Sequence, residues 1–378
     1  MRILAFAKTD LKYDGRILSN MNSLVKAFPE MDIIFIVLPH SYTDLYLIPR
    51  VKIVDYRFIL RKYLSKYKLL QPITAFAFAL FQMKSILKYR PKAVIVHDRS
   101  AALGPLLSSY FMKFRIVYDD HELFERPQGM FDKFWFLVEK KIIQKAHINL
   151  TANLYRKRII TSLFKMKNHP TVIDNIPFIK PDTIVSADCR VKIDNIMGIR
   201  ANYRVILHQG RIFDERGLYE LKSIIDTLPE EWKLCLVGAP DEEVKQLLEG
   251  CRNRKKVFNV GYIHYDELHT IWEQVDATII IYKSALINNR YCAPNRMYYA
   301  LSFGIPLIVN QSNPVLMGTI KKYANGYAFN EQKLDVQPFF SQYSDFRLNA
   351  LKHRQDYAFG SVDRVLGPLY KNLSQEVL

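Results

Sequence analysis

Along the 378-residue chain, short apolar runs rich in β-branched residues alternate with longer stretches whose apolar positions recur at helical spacing. Residues 3–6, 33–38, 93–96 and 116–118 read as a first series of strands, and 205–207, 233–237, 278–282 and 306–309 as a second. Strand and helix in alternation predict βαβ units, hence parallel sheets with helices on both faces. Between the two series, residues 170–198 hold three prolines and mixed polarity and read as a crossing between domains. The pattern predicts an α/β protein with two Rossmann-like domains facing each other across a cleft. It contains no solenoid repeat and no low-complexity tract.

Composition narrows the class. With 49% hydrophobic and 13% aromatic residues the chain has ample apolar surface to fold, which excludes disorder and fibre architectures. Cys189, Cys235, Cys251 and Cys292 stand 46, 16 and 41 residues apart, a spacing that fits neither a CxxC motif nor a secreted disulfide framework. A reducing, cytoplasmic setting is expected. The N-terminal apolar stretch is too short for a signal-peptide core, and the longest apolar run, 73–81, falls short of the roughly 20 residues of a spanning helix.

The formal charge of +17 favours polyanionic partners. Residues 50–92 carry eleven Lys and Arg against the single Asp55, interleaved with aromatic residues. Arg61, Lys62, Lys66 and Lys68 beside Ile59, Leu60, Leu64 and Leu69 suit a helix lying on an anionic membrane surface; a solvated basic helix over a core stripe stands equally. No nucleic-acid-binding motif accompanies the charge, so nucleic acid ranks last.

Two segments carry chemistry. Residues 207–218 leave a strand, turn at Gly210 and present Arg211 and Arg216 ahead of a helix, an arrangement in which free N–H groups, the helix end and two guanidinium groups make an anion site. A diphosphate fits there; a surface loop pairing Arg216 with Asp214 or Glu215 is the plain alternative. Residues 288–306 form a polar, Pro-punctuated loop and a helix closed by Gly304. Asn288, Asn289 and Asn295 have no core to fill, whereas Met297, Tyr298 and Leu301 suit the sheet side.

These motifs resemble the GT-B glycosyltransferases of the family-4-like group, glycosyl transferases group 1, of the bacterial surface-glycan type. Gly210-Arg211 and Arg216-Gly217 match its Gly-Arg followed five residues on by Lys-Gly, and residues 294–300 with Gly304-Ile305-Pro306 match its Pro-Asn-Lys segment and Gly-x-Pro. His97-Asp98, the 117–125 stretch with His121-Glu122, Asn175-Ile176-Pro177, Asn259-Val260-Gly261-Tyr262 and Asp14-Gly15-Arg16 extend the likeness over nearly the whole chain. The family often has Glu where Tyr291 and Tyr299 stand.

The resemblance implies an acceptor-binding domain over 1–175, a nucleotide-sugar-binding domain over 176–360 and a helix over 361–378 that crosses back to the first domain. It implies transfer from a nucleoside-diphosphate sugar, UDP favoured, to a hydroxyl of a lipid-linked glycan in polysaccharide biosynthesis, with retention and at the inner membrane face. His121, Arg211 and Arg216 would be catalytic. Gly210, Gly261, Tyr262, Asn288, Asn289, Tyr291, Pro294, Asn295, Arg296 and Tyr299 would bind the donor, and Asp14, Arg16 and His97 would line the acceptor side. From the bare sequence a histidine such as His121 after a buried strand is more often a structural residue or helix cap than a catalyst, and the resemblance reverses that; for His97 a cap role stands equally with the acceptor side. No metal is expected, because neighbouring side chains of the 119–122 run point in opposite directions and supply no ligand cluster. No further cofactor is expected. A nucleotide-sugar epimerase and a catalytically inactive binding scaffold are the alternatives.

Overall fold

The computed structural model describes residues 2–9, 14–38, 51–58, 71–166, 168–177, 179, 185–283, 286–358 and 362–375. The chain divides into two compact units, Met1–Asp174 with Val362–Leu378, and Asn175–Ser361.

The first unit holds a parallel sheet of β1 (Arg2–Ala7), β2 (Asp32–Val37), β3 (Val51–Asp55), β4 (Ala93–His97), β5 (Arg115–Asp120), β6 (Ile148–Thr151) and β7 (Thr171–Val172), in the order β3-β2-β1-β4-β5-β6-β7. The central strands are almost wholly apolar because both faces are covered; in β1 every residue after Arg2 is buried. The chain steps outward from β1 to β3 and then returns to β4 on its other side. The gap between the carboxyl ends of β1 and β4 is therefore a topological switch point, where crossover connections diverge and a crevice opens.

The second unit repeats the plan with β8 (Arg204–Gln209), β9 (Trp232–Val237), β10 (Val257–Gly261), β11 (Ala277–Ile280), β12 (Leu307–Asn310) and β13 (Gly326–Phe329), ordered β10-β9-β8-β11-β12-β13. Its switch point lies between β8 and β11. The core around Trp232, Leu221, Ile224, Ile279 and Phe339 covers one face of this sheet.

The C-terminal helix Asp363–Gln375 returns to the first unit and packs on the helix Gly15–Ala27. Ser23 Oγ and Lys26 Nζ both donate to Asp363, and the buried Tyr370 hydroxyl donates to Asn20. All eight strands read from the sequence are present in place; β3, β6, β7, β10 and β13 are additional. The 170–198 stretch is not a bare crossing: it starts with β7 and ends inside the helix Ala187–Arg200, which Ser186 caps through its side chain. The basic residues Arg61, Lys62, Lys66 and Lys68 lie outside the described residues.

Candidate active site

In the first unit, register sets the chemistry. β4 and β5 pair His97 with Asp119 at their carboxyl ends. Asp119 is wholly buried and accepts from four groups: Arg16, Asn20 Nδ2 at 3.3 Å, His97 Nδ1 at 3.1 Å and His121 Nε2 at 3.1 Å. Arg16 and Asn20 project from the first turns of Gly15–Ala27, a helix whose start is fixed by Asp14, whose carboxylate accepts from Ile17 N. The two imidazoles meet edge to face with centroids 5.6 Å apart, and His121 Nδ1 lies 3.9 Å from Asp14.

Burial alone would raise the Asp119 carboxyl, but the charges of Arg16 and His121 and the two histidine bonds hold it well below the usual carboxylate range. His97 is pushed down by its burial, which outweighs its bond to Asp119, and is therefore neutral. For His121 burial also opposes charge, yet the Asp119 carboxylate prevails and raises it. One histidine is thus an imidazole with its buried Nε2 unpartnered, and the other is biased toward imidazolium.

The expected strand alternation holds, but the inference drawn from it does not. Tyr118 and Asp120 point to the opposite face from Asp119, where the Tyr118 hydroxyl donates to Glu139 at 2.9 Å and Thr151 lies 3.5 Å from Asp120. A ligand cluster nevertheless arises, because the neighbouring strand supplies His97: ligand atoms of His97, Asp119 and His121 lie within 4.8 Å of one another. The guanidinium of Arg16 on the same carboxylate opposes a cation there, so the donor set suits hydrogen bonding better than metal binding. Asp14, Arg16 and His97, expected on the acceptor side, are brought together with His121. Asn20 lies outside every motif read from the sequence, and Asp119 entered there only as a metal-ligand candidate of the 119–122 run and within the 117–125 motif.

In the second unit, the carboxyl ends of β8 and β11 border a pocket of about 620 Å³. Gly210, Arg211, Arg216, Pro294, Asn295 and Arg296 line it, as expected, together with Asn175, Gln209, Phe213 and Tyr282. Gly217 has φ +86°, and a Cβ there would fall 2.6 Å from Ile281, so only glycine lets the Arg216 loop close onto β11. Arg216 then lies with its guanidinium 3.8 Å from the ring centroid of Tyr282, while Arg296 approaches the same ring at 5.0 Å and donates to the Gln209 carbonyl at 2.7 Å. Burial lowers the pKa of Arg216, and its Nη1 is buried with no hydrogen-bond partner. The helix Asn295–Phe303 opens at this pocket behind Pro294 and adds its positive end.

Arg211, though it lines the pocket, is tied to Glu243, which also accepts from Ile212 N at 2.6 Å. Other expected donor residues stand elsewhere. Tyr299 is 1% exposed and stacks on Trp272 at 5.5 Å, so it serves the core and offers no hydroxyl to a ligand in this arrangement. Asn288, Asn289 and Tyr291 belong to the short helix Ile287–Arg290 and its end, and Gly261 with Tyr262 to the end of β10; none lines the pocket. Tyr282 and Gln209 carry a signal that sequence reading offers and that was missed: Gln209 ends β8 and Tyr282 follows β11 by two residues, at the strands bordering the switch point.

Residues 190–337 match the family model described as Glycosyl transferases group 1. The sequence alone matches no curated protein. Among solved structures, sucrose-phosphate synthase from Thermosynechococcus elongatus superposes with TM-score 0.73 at 16% identity, over 100% of both chains. HepE of Anabaena in complex with UDP gives 0.72 at 13%, over 99% of this chain and 100% of that one. WaaG, a glycosyltransferase involved in lipopolysaccharide biosynthesis, gives 0.70 at 11%, over 96% and 98%.

Proposed function

We propose, on the premise that the chain is a GT-B glycosyltransferase whose second unit carries the group 1 domain, that it moves a sugar from UDP-sugar to a hydroxyl of a lipid-linked glycan. The observation that carries this reading is the unpartnered, buried Arg216 Nη1 beside Arg296 in the pocket at the β8/β11 switch point. Two guanidinium groups held against one aromatic ring, with no carboxylate between them, suit a diphosphate whose charge grows as the glycosidic bond breaks. UDP is the nucleotide of choice because HepE was solved with UDP and with UDP-glucose.

Arg216 and Arg296 take the place that a divalent metal fills in other transferases, and the reaction proceeds without one. The leaving phosphate oxygen accepts the proton of the attacking hydroxyl, with retention of configuration and no carboxylate nucleophile. In the first unit, His121, whose protonated form Asp119 favours, serves as a hydrogen-bond donor to substrate, with the neutral His97 behind it. A glycan acceptor fits the first unit's pocket of about 300 Å³, where Phe131 and Trp135 offer ring faces for sugar stacking and Lys8, Arg99 and Ser100 offer donors. Exposed Ile73, Phe76, Leu80 and Leu87 on the helix Gln71–Tyr89, with Lys84 and Lys88, support contact of the 50–92 region with an anionic membrane surface on the cytoplasmic side.

A thermal-shift series with UDP, ADP and GDP tests the donor assignment. UDP at 100 times its dissociation constant stabilises the fold by about 2.7 kcal/mol, and absence of stabilisation by any nucleoside diphosphate overturns it.

A further inference from the structure

A second concentration of positive charge lies at the other edge of the first sheet. The residues that precede or begin β4, β5 and β6, namely Lys92, Arg115 and His147, border a pocket of about 410 Å³ that Lys113, Phe114 and Lys145 also line. This is the amino-terminal edge of the strands, whereas His97, Asp119 and His121 stand at the carboxyl edge. Among the described residues lining it there is no carboxylate.

Several of its groups are held in place. Lys145 Nζ lies 3.9 Å from the centroid of the Tyr110 ring and donates to the Ser109 carbonyl at 3.4 Å. His147 Nδ1 accepts from the backbone N–H of Ile116 at 3.1 Å, so the proton of the neutral ring rides on Nε2 and makes that atom a donor. Cations gathered without a lining carboxylate raise the local potential, and an anion with several oxygen acceptors relieves that repulsion while meeting fixed donors. Beside the pocket, Leu107, Tyr110 and Phe111 are exposed, an apolar margin next to the charge.

We propose that this pocket binds a phosphate group, carried by a lipid headgroup or by a soluble phosphorylated molecule. The site is separate from the donor pocket of the second unit and does not depend on the transferase reading. The test is hydrogen–deuterium exchange of residues 107–116 in the full chain, which reads this pocket without interference from phosphate bound elsewhere. One arm adds millimolar inorganic phosphate; the other adds vesicles of phosphatidylcholine with phosphatidylglycerol, against phosphatidylcholine alone. A triple variant, Lys92→Gln with Lys113→Gln and Lys145→Gln, is compared with Lys321→Gln, Lys333→Gln and Lys352→Gln, which removes the same charge from exposed positions of the second unit. The proposal expects exchange to slow several-fold in at least one arm, with the effect lost in the pocket variant and kept in the control. Slowing by inorganic phosphate identifies a soluble ligand, and slowing by phosphatidylglycerol vesicles alone identifies a headgroup. No slowing in either arm, or slowing that survives in the pocket variant, overturns it.

Discussion

The guanidinium of Arg216 lies 3.8 Å from the centre of the Tyr282 ring, and its partner Arg296 approaches the same ring at 5.0 Å. Tyr282 is held by Asn310, whose side chain accepts from the Tyr282 N–H at 3.0 Å and donates to its carbonyl at 2.9 Å. Both cations are therefore positioned by an aromatic face whose backbone is clamped, and among the described residues neither is paired with a carboxylate. That arrangement suits a diphosphate: charge is held in place and Arg216 Nη1 has no hydrogen-bond partner.

Replacing Tyr282 by Leu keeps the apolar body and removes the ring. Each cation–π contact contributes about 0.5 to 2 kcal/mol, so affinity for UDP is expected to fall by about tenfold with a smaller change in stability. Calorimetric titration beside a urea melt separates the two, and equal UDP affinity in Tyr282→Leu would show that the ring does not position the arginines.

Asp119→Asn is expected to cost about 3 to 5 kcal/mol, because it leaves Arg16 buried without its counter-charge. The pH dependence has a definite sign. Asp119 is held below its usual range, so its contribution is present above the unfolded carboxylate pKa and is lost as pH falls through the folded value. His121 is raised, so its contribution is present below the unfolded histidine pKa and fades as pH rises through the folded one. Urea unfolding of both proteins from neutral to acid pH should show the deficit of the variant narrowing toward acid; a constant deficit would contradict the pairing.

On the other face of β5, burial raises Asp120 to about 7, and burial with the charge of Asp120 raises Glu139 to about 8. Raised carboxyls stabilise the fold below their unfolded pKa values and lose that contribution as pH climbs through the folded ones. Glu139→Gln should therefore flatten the decline in stability between about pH 4.5 and 8. A variant curve parallel to the parent would place the titration elsewhere.

Gly217→Ala sets a Cβ against Ile281 and forces a positive φ, a strain of about 1 to 3 kcal/mol. The variant is expected to fold with a lower melting temperature and weaker UDP binding, since the loop carrying Arg216 must shift. Unchanged melting and binding would contradict the close packing.

Much of this was legible in the sequence, and unevenly so. Strands buried on both faces, such as β1 and β12, announce themselves as continuous apolar runs; β3 and β10 are edge strands with Lys52 and Asn259 breaking the pattern, and β7 is two residues long. Gly210, Arg216 and Arg296 were readable because turn, cation and helix start follow one another locally. Asp119's partnership with Arg16 and His97 was not, since it depends on the β4/β5 register and on a helix that starts over a hundred residues earlier. Tyr299 misled because its motif position suggested the ligand side, whereas tertiary packing against Trp272 decided its direction.

The central claim is that Arg216 supplies charge to a bound nucleoside diphosphate. Calorimetric titration of the full chain and of Arg216→Ala with UDP tests it most directly. The account predicts one UDP site in the parent and a dissociation constant raised about 100-fold in Arg216→Ala, the loss of a charge-assisted contact of about 2.7 kcal/mol, with the melting temperature little changed. Equal affinity in the two proteins, or no UDP binding by the parent, would contradict it.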